Sequence, residues 1–231
     1  TLTTAQREEK QMKNNPLVYL FGKTWRYSIG NRHKIVWFWV MFIVAETISS
    51  VLDPLVMAKI IDTIQKEGIT LQNIRYLIGL LGLLLVITIV FWSLHGPARF
   101  LERNNAFHAR ANYRKHLLKG VMTLPMEWHV ENHSGDTIDK VEKGAGALFH
   151  FSEDSFEIIY AIVKLIISYA MLVYLSRPAA YLVVIMMVFT IWITTRFDRV
   201  IMGQYRELNR AENKISESVF DAISNIATVI T

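Results

Sequence analysis

The sequence predicts an all-α membrane protein: one interfacial helix, then four transmembrane helices with long extensions outside the bilayer. Three observations carry that expectation. Hydrophobic residues make up 52% of the 231 positions and charged residues only 19%, with a mean hydropathy of +0.26. The hydrophobicity is blocky: residues 76–94 and 179–195 contain no charged side chain, and apolar runs of about 18–20 residues match the bilayer core. Outside these blocks, apolar residues recur at helical spacing within polar stretches.

The first 15 residues, TLTTAQREEKQMKNN, form a polar tail with no apolar core, so no cleavable signal peptide is expected. The chain lacks an initiator Met and reads as a fragment or a processed product. Within segment 16–34, a helix over 16–29 places Leu17, Leu20, Phe21, Thr24, Trp25, Ser28 and Ile29 on one face, with Lys23 and Arg26 off it. It is too short and too charged to span. It reads as an interfacial helix along the cytoplasmic leaflet; the other reading is an amphipathic helix packed on protein.

Four spans are expected at about 35–58, 76–98, 157–176 and 179–196. Lys and Arg number seven in 1–34, eight in 99–156 and five in 196–231, against three in 59–75 plus Arg177, with Lys164 inside the third span. Positive loops stay in the cytoplasm. The N-terminus, the loop 99–156 and the C-terminus are therefore expected inside, which an even number of spans allows. Lys164 reads as snorkelling toward the headgroups.

Segment 99–123 keeps an apolar stripe of Phe100, Phe107, Ala111, Leu118 and Val121. Only Gly96-Pro97 interrupts the run from span 2, and that pair reads as a kink. A helix over 74–123 would be roughly 75 Å long at about 1.5 Å per residue, of which the hydrocarbon core takes about 30 Å. It should project far from the membrane, and 136–176 should bring the chain back. Ser176 and Pro178 read as the start of a last helix. Ile201, Tyr205, Leu208, Ile215, Val219, Ala222 and Ile226 continue its periodicity without a cap, as if cut mid-helix.

Two constellations are candidate sites. The stretch LPMEWHVENHSGD (124–136) holds His129, Glu131 and His133 beside Trp128. The zinc-protease pattern HExxH is not met. On a helix His129 and His133 would share a face suited to zinc, but Glu131 would point away and no third ligand is evident. Pro125 before it and Ser134-Gly135-Asp136 after it suggest a short helix closed by a turn, with Ser134 or Asp136 capping the next helix. Its place at the tip of a long hairpin makes it a contact surface, with Trp128 as anchor. In span 1, Glu46, Thr47, Ser50 and Asp53 form a polar stripe, and Pro54 reads as a kink. An acidic residue in mid-bilayer costs about 2.5–3.5 kcal/mol. The stripe either lines a translocation path or pairs with a basic residue such as Lys164.

Some classes are excluded. There is no cysteine, hence no disulfide and no thiolate metal site. There is no internal repeat and no phosphate-binding pattern GxxxxGK[ST]. Basic stretches are interleaved with Glu102, Asp136, Asp139, Glu142, Glu153 and Asp154, which reads as solvated faces and not as a nucleic-acid surface. Two rivals remain for the whole chain: a four-helix channel or receptor subunit without ATPase coupling, and a membrane-anchored metalloenzyme using His129 and His133.

NYRKHLLKGVMTLPMEWHVENHSGDTIDKVEKG (112–144) resembles the first intracellular loop of ABC exporters (type IV ABC transporters), where an Arg-containing helix leads to LP, an aromatic pair, and then a small residue, Gly and an acid opening the return helix. DPLVMAKIIDTI (53–64) resembles the outer end of their first span, and ENKISESVFDAISNIATVI (212–230) their descent into the second intracellular loop. Residues 16–30 resemble their elbow helix. The resemblance implies the N-terminal portion of the exporter type-1 transmembrane fold: elbow helix 16–34, transmembrane domain 35–231, loop 1 at about 99–156 and the start of loop 2 at about 197–231. Spans five and six, a second coupling helix and a nucleotide-binding domain would follow. Met126, Glu127, Trp128, His129, Val130, Glu131, Asn132 and His133 would form coupling helix 1, docking on that domain. His129 departs from the usual aromatic pair. The resemblance further implies a second transporter half, as a homo- or heterodimer, a place in the cell (inner) membrane, and ATP and Mg bound in the nucleotide-binding domain; this chain holds no cofactor and no catalytic residue.

Overall fold

Helical spacing and a few breakers account for every element. A computed structural model describes residues 16–132 and 134–224. Among them every regular element is an α-helix: α1 (Pro16–Tyr27), α2 (Arg32–Glu67), α3 (Ile74–Met122), α4 (Met126–Glu131), α5 (Ser134–Glu153), α6 (Ser155–Leu175) and α7 (Arg177–Ser224). Four described runs are long and apolar enough to cross a membrane: Arg32–Glu67, Ile74–Met122, Thr137–Leu175 and Arg177–Glu212. The polar tail 1–15 and residues 225–231, on which the expected periodicity at Ile226 falls, lie outside the described residues.

The chain turns where glycine allows it. Gly30 (φ 90°) and Gly68 (φ 66°) adopt the left-handed region that other residues avoid. After Gly68 the side chain of Asn73 ties the turn: its carbonyl accepts from the Thr70 amide at 2.9 Å and its amide donates to the Gly68 carbonyl at 2.8 Å. Pro54 and Pro97 lie inside helices that run on through them, as transmembrane helices tolerate. The 49-residue α3 matches the expected long helix. The expected return helix comes as two, because Asp154 separates α5 from α6. Asp154 and Glu157 have the spacing of a capping box, and the Glu157 amide donates to the Asp154 carbonyl at 3.2 Å.

Contacts divide the chain into two units, Thr1–Ser168 and Tyr169–Thr231. In the first, α2 and α3 lie antiparallel. Val56 and Ile60 pack on Leu77 and Leu80 near one end, and Phe38 and Phe42 pack with Ala98 near the other. Beyond the span, α3 packs along α5. Ala106, Ala109 and Ala145 have no exposed surface, so small residues let the two backbones approach. Arg114 and Arg110 reach Glu142 at 2.6 and 3.6 Å, and Arg103 reaches Glu153 at 3.5 Å. Partly exposed pairs of this kind contribute about 0–1 kcal/mol each; they set register more than strength. In the second unit, Phe189 stacks on Trp192 at 6.1 Å and the Arg196 guanidinium lies 5.9 Å from the same indole. An aromatic–Arg group there fits the interfacial belt at the end of a span.

The structure assigns the packed faces. The apolar stripe on 99–123 lies mostly open: Phe100 is 74% exposed, Leu118 is exposed, and Phe107, though exposed, meets the Phe149 ring of α5 at 4.8 Å. The packed face holds Ala98, Glu102, Asn105, Ala106 and Ala109, because close helix approach selects small residues and hydrogen-bonding pairs. The acids there are not all solvated: Glu102 has no exposed surface, and Glu142 and Glu153 pair across the hairpin. On α1, Lys23 and Tyr27 are buried with Thr24, whereas Leu17, Trp25 and Ile29 are exposed. Polar contacts hold this helix to the hairpin. Thr24 Oγ1 lies 2.8 Å from Ser152 Oγ, Asn105 Nδ2 donates to Ser28 Oγ at 3.0 Å, and Asn112 Nδ2 donates to the Tyr27 carbonyl at 2.7 Å. Tyr19, Tyr27 and Tyr113 surround the Lys23 ammonium at 5.3–5.8 Å. Thus α1 packs on protein with one face and presents apolar side chains on the other.

The close approach of α3 and α5 is directly testable. Ala109→Leu should destabilise the first unit by about 1–3 kcal/mol through overpacking, read as a lower unfolding midpoint in detergent. Phe100→Leu, on the exposed stripe, should leave that midpoint unchanged.

Candidate functional site

The hairpin tip is built by Pro125, which precedes α4, and by Asn132, which closes it. Asn132 donates to the Trp128 carbonyl through its backbone amide at 3.0 Å and its side-chain amide at 2.8 Å. Along this one-turn helix, Met126 is 74% and Val130 78% exposed, and Met122 at the end of α3 is 81% exposed. Glu127 and His129 are exposed as well. Trp128, the expected anchor, is half-buried and meets the His129 ring edge-on at 5.3 Å. Glu131 ends the helix, and His133 lies outside the described residues. The exposed apolar surface of this helix is therefore Met126 and Val130, and the indole expected as anchor is less exposed than either. Among the described residues no group of three His, Cys, Asp or Glu side chains could hold a metal ion.

The polar stripe of α2 satisfies itself. Glu46 is buried and accepts from Ser50 Oγ at 2.7 Å; Asp53 is half-buried and accepts from Ser49 Oγ at 2.5 Å. Thr47 faces out and Lys164 is exposed. So the acids use hydroxyls one turn away on their own helix, and the lysine considered as a partner is not what satisfies Glu46. Nearby, His95 Nδ1 and the Tyr160 hydroxyl share a 2.6 Å hydrogen bond that joins α3 to α6. Phe91 stacks on His95 at 5.2 Å and Phe42 meets Tyr160 edge-on at 5.6 Å. Nothing local in the sequence marks this pair, whose members are 65 positions apart.

The third cluster lies one turn past residue 98, at the junction of span and hairpin. Glu102 has no exposed surface. Its Oε1 accepts from Ser155 Oγ at 2.6 Å and from the Phe156 amide at 2.9 Å; its Oε2 accepts from Arg99 Nη1 at 2.5 Å. Arg99 also donates to the Glu153 carbonyl, lies 4.0 Å from Asp154, and covers the Phe156 ring at 3.9 Å. Burial pushes the Glu102 carboxyl up to about 7, opposed by the Ser155 hydrogen bond, the Arg99 charge and the Phe156 amide. The sequence signal for this joint was the capping-box spacing at Asp154; nothing local marked Glu102.

A pH dependence follows. Between the ordinary carboxyl value of 4.5 and about 7, the folded chain holds a proton at Glu102 that the unfolded chain has released. This group's contribution to stability is full below 4.5 and is lost as pH rises through about 7. Unfolding midpoints across that window should fall with rising pH, and Glu102→Gln should flatten the slope.

The profile of one protein family, described as ABC transporter transmembrane region, matches residues 36–231. No curated protein and no solved structure matches the chain. The match takes in every span and the whole hairpin, and four long apolar helices with a helical loop between the second and third suit an integral membrane protein of that kind. On this match the chain belongs to the family of ABC transporter transmembrane regions.

Proposed function

We propose that this chain forms part of the transmembrane domain of an ATP-driven exporter and couples ATP hydrolysis in a nucleotide-binding domain of the same protein to substrate export. One observation carries the reading: α3 runs unbroken for 49 residues, roughly 75 Å at about 1.5 Å per residue, more than twice the hydrocarbon thickness of about 30 Å. It ends in a short helix with exposed apolar side chains and returns through α5. That arrangement suits a lever with a docking tip.

In this reading residues 126–133 are coupling helix 1. Met126 and Val130 make the apolar contact, Glu127 and His129 form its polar rim, and half-buried Trp128 holds the tip in shape. ATP and Mg act in the nucleotide-binding domain, and a second half completes the transporter as a homo- or heterodimer. The distribution of Lys and Arg supports a cytoplasmic hairpin and cytoplasmic termini, with the domain in the cell membrane. Closure of the nucleotide-binding domains on ATP drives the tips together, and the bundle passes between two states biased by that ligand. Glu46, Ser50 and Asp53 would line part of the path, with Thr47 beside them.

Two measurements in the assembled transporter test this. Met126→Glu with Val130→Glu places charge on the docking surface without touching the packed hairpin. Transport should fall about tenfold or more, the equivalent of a docking loss of about 1.4 kcal/mol, while ATP hydrolysis continues; Trp128→Ala should uncouple similarly. Unchanged transport and stimulated hydrolysis in both would sink the docking role. Separately, Glu46→Gln should change the relative transport of different substrates, whereas an unaltered profile for all of them assigns the stripe to structure alone.

A further inference from the structure

We infer that Arg99, Glu102 and Ser155 form a splint across the helix break at Asp154, positioning span 3 so that movement of the hairpin reaches the membrane. The inference rests on the lever reading above and adds the residues that make the lever continuous.

The break poses a mechanical problem. A displacement of the tip travels along two arms. The outgoing arm is the single helix α3. The return arm changes helix between Glu153 and Ser155, where it could bend and absorb the displacement. Two side chains of α3, one turn apart, bridge that point. Arg99 holds the upstream side through the Glu153 carbonyl and Asp154. Glu102 holds the downstream side through Ser155 Oγ and the Phe156 amide. The two are joined to each other by their own ion pair. Both helix ends are thus fixed to one rigid helix, and to each other through it.

The surroundings favour a joint that stays shut. Glu102 and Ser155 are buried, so opening would strand a carboxyl group away from water, a far larger cost than parting an exposed pair. The Arg99 guanidinium carbon also lies 3.9 Å over the ring of Phe156, which packs with Phe42 of α2. Both hydrogen bonds leave the single nitrogen Nη1; a lysine ammonium also carries several donors, but it lacks the planar head that covers Phe156.

The test uses the assembled transporter and reads substrate moved per ATP hydrolysed. Ser155→Ala removes the downstream hydroxyl and leaves every charge in place; Arg99→Lys keeps the charge and loses the planar guanidinium. Each removes or weakens a bond to the buried carboxyl group and should lower the unfolding midpoint, so the ratio is read well below it; there each should lower the ratio by about fivefold or more, the usual lower bound for a coupling between sites, while hydrolysis continues. Ser155→Thr, which keeps the hydroxyl, should restore the ratio; a purely structural role would move the midpoint and leave the ratio alone. Trp128→Ala is measured alongside. If it uncouples and the two splint variants keep the parent ratio, the splint is wrong and the lever stands. If none of the three changes the ratio, the lever reading fails and takes the splint with it.

Discussion

A carboxyl group with no access to water must find all its partners within the protein, and the joint around Glu102 is where this chain meets that demand. Four contacts converge there: the Arg99 guanidinium, the Ser155 hydroxyl, the Phe156 amide and, through Arg99, the Glu153 carbonyl. Each hydrogen bond to a charged group contributes about 1.5–3 kcal/mol, and leaving the group unpaired would cost more than any one of them gains. The position of α3 along α5 and α6 is therefore fixed at this level. The rest of the hairpin inherits its register: Ala109 packs with Leu148 and Tyr27, and the Glu142 carboxylate reaches Arg110 and Arg114 further out.

Two solvents divide the work along the same helix. In lipid, apolar contact between helices gains little over apolar contact with acyl chains, so packing relies on fit, small residues and polar links. Phe42, Phe91, His95 and Tyr160 are such a group, with one hydrogen bond among rings. Past residue 98 the hairpin relies on small residues, ion pairs and the buried carboxyl, and α1 is held by hydroxyl and amide contacts. An exposed Trp37 or Trp92 on the spans needs no protein partner; exposed Met126 and Val130 at the tip have no lipid to meet, which is why they read as a docking surface.

The order of the helices and the length of α3 were legible in the sequence because each follows from a one-dimensional rule, whereas the run of α2 on to Glu67 and the division of the return arm at Asp154 were not. Uncharged runs near 20 residues mark spans, and the lack of breakers carries α3 on to Met122. The packed faces were not legible, because a stripe of large apolar residues is a poor guide where backbones approach closely. Phe100, Phe107 and Leu118 form the apolar stripe and are exposed, while Ala106, Ala109, Asn105 and Glu102 are buried. Glu102 was unreadable for a further reason: apart from Arg99 one turn away, its partners lie more than 50 positions off, and a lone acid among basic residues looks solvated. The polar stripe at Glu46 and Asp53 was visible, but its serine partners mean that it does not by itself demand a wet cavity. At the tip, the indole drew notice by its type, although Met126 and Val130 hold the exposed apolar surface.

A joint made of polar groups also does something that an apolar one does not. Apolar side chains slide past one another at small cost, since one contact replaces another of similar depth. Hydrogen bonds to a buried carboxyl have fixed directions, and a shift of one helical turn, about 5.4 Å, would leave Glu102 facing neither Ser155 nor Phe156. Intermediate positions are therefore costly, and α3 with its partners moves as one piece or not at all. A transporter that must be open to one side or the other, never half-way, is served by elements with this property. In the proposed lever the polar joint would lie at the membrane boundary, where a displacement of the hairpin would become a displacement of the spans, and slippage at that level would be most damaging to coupling.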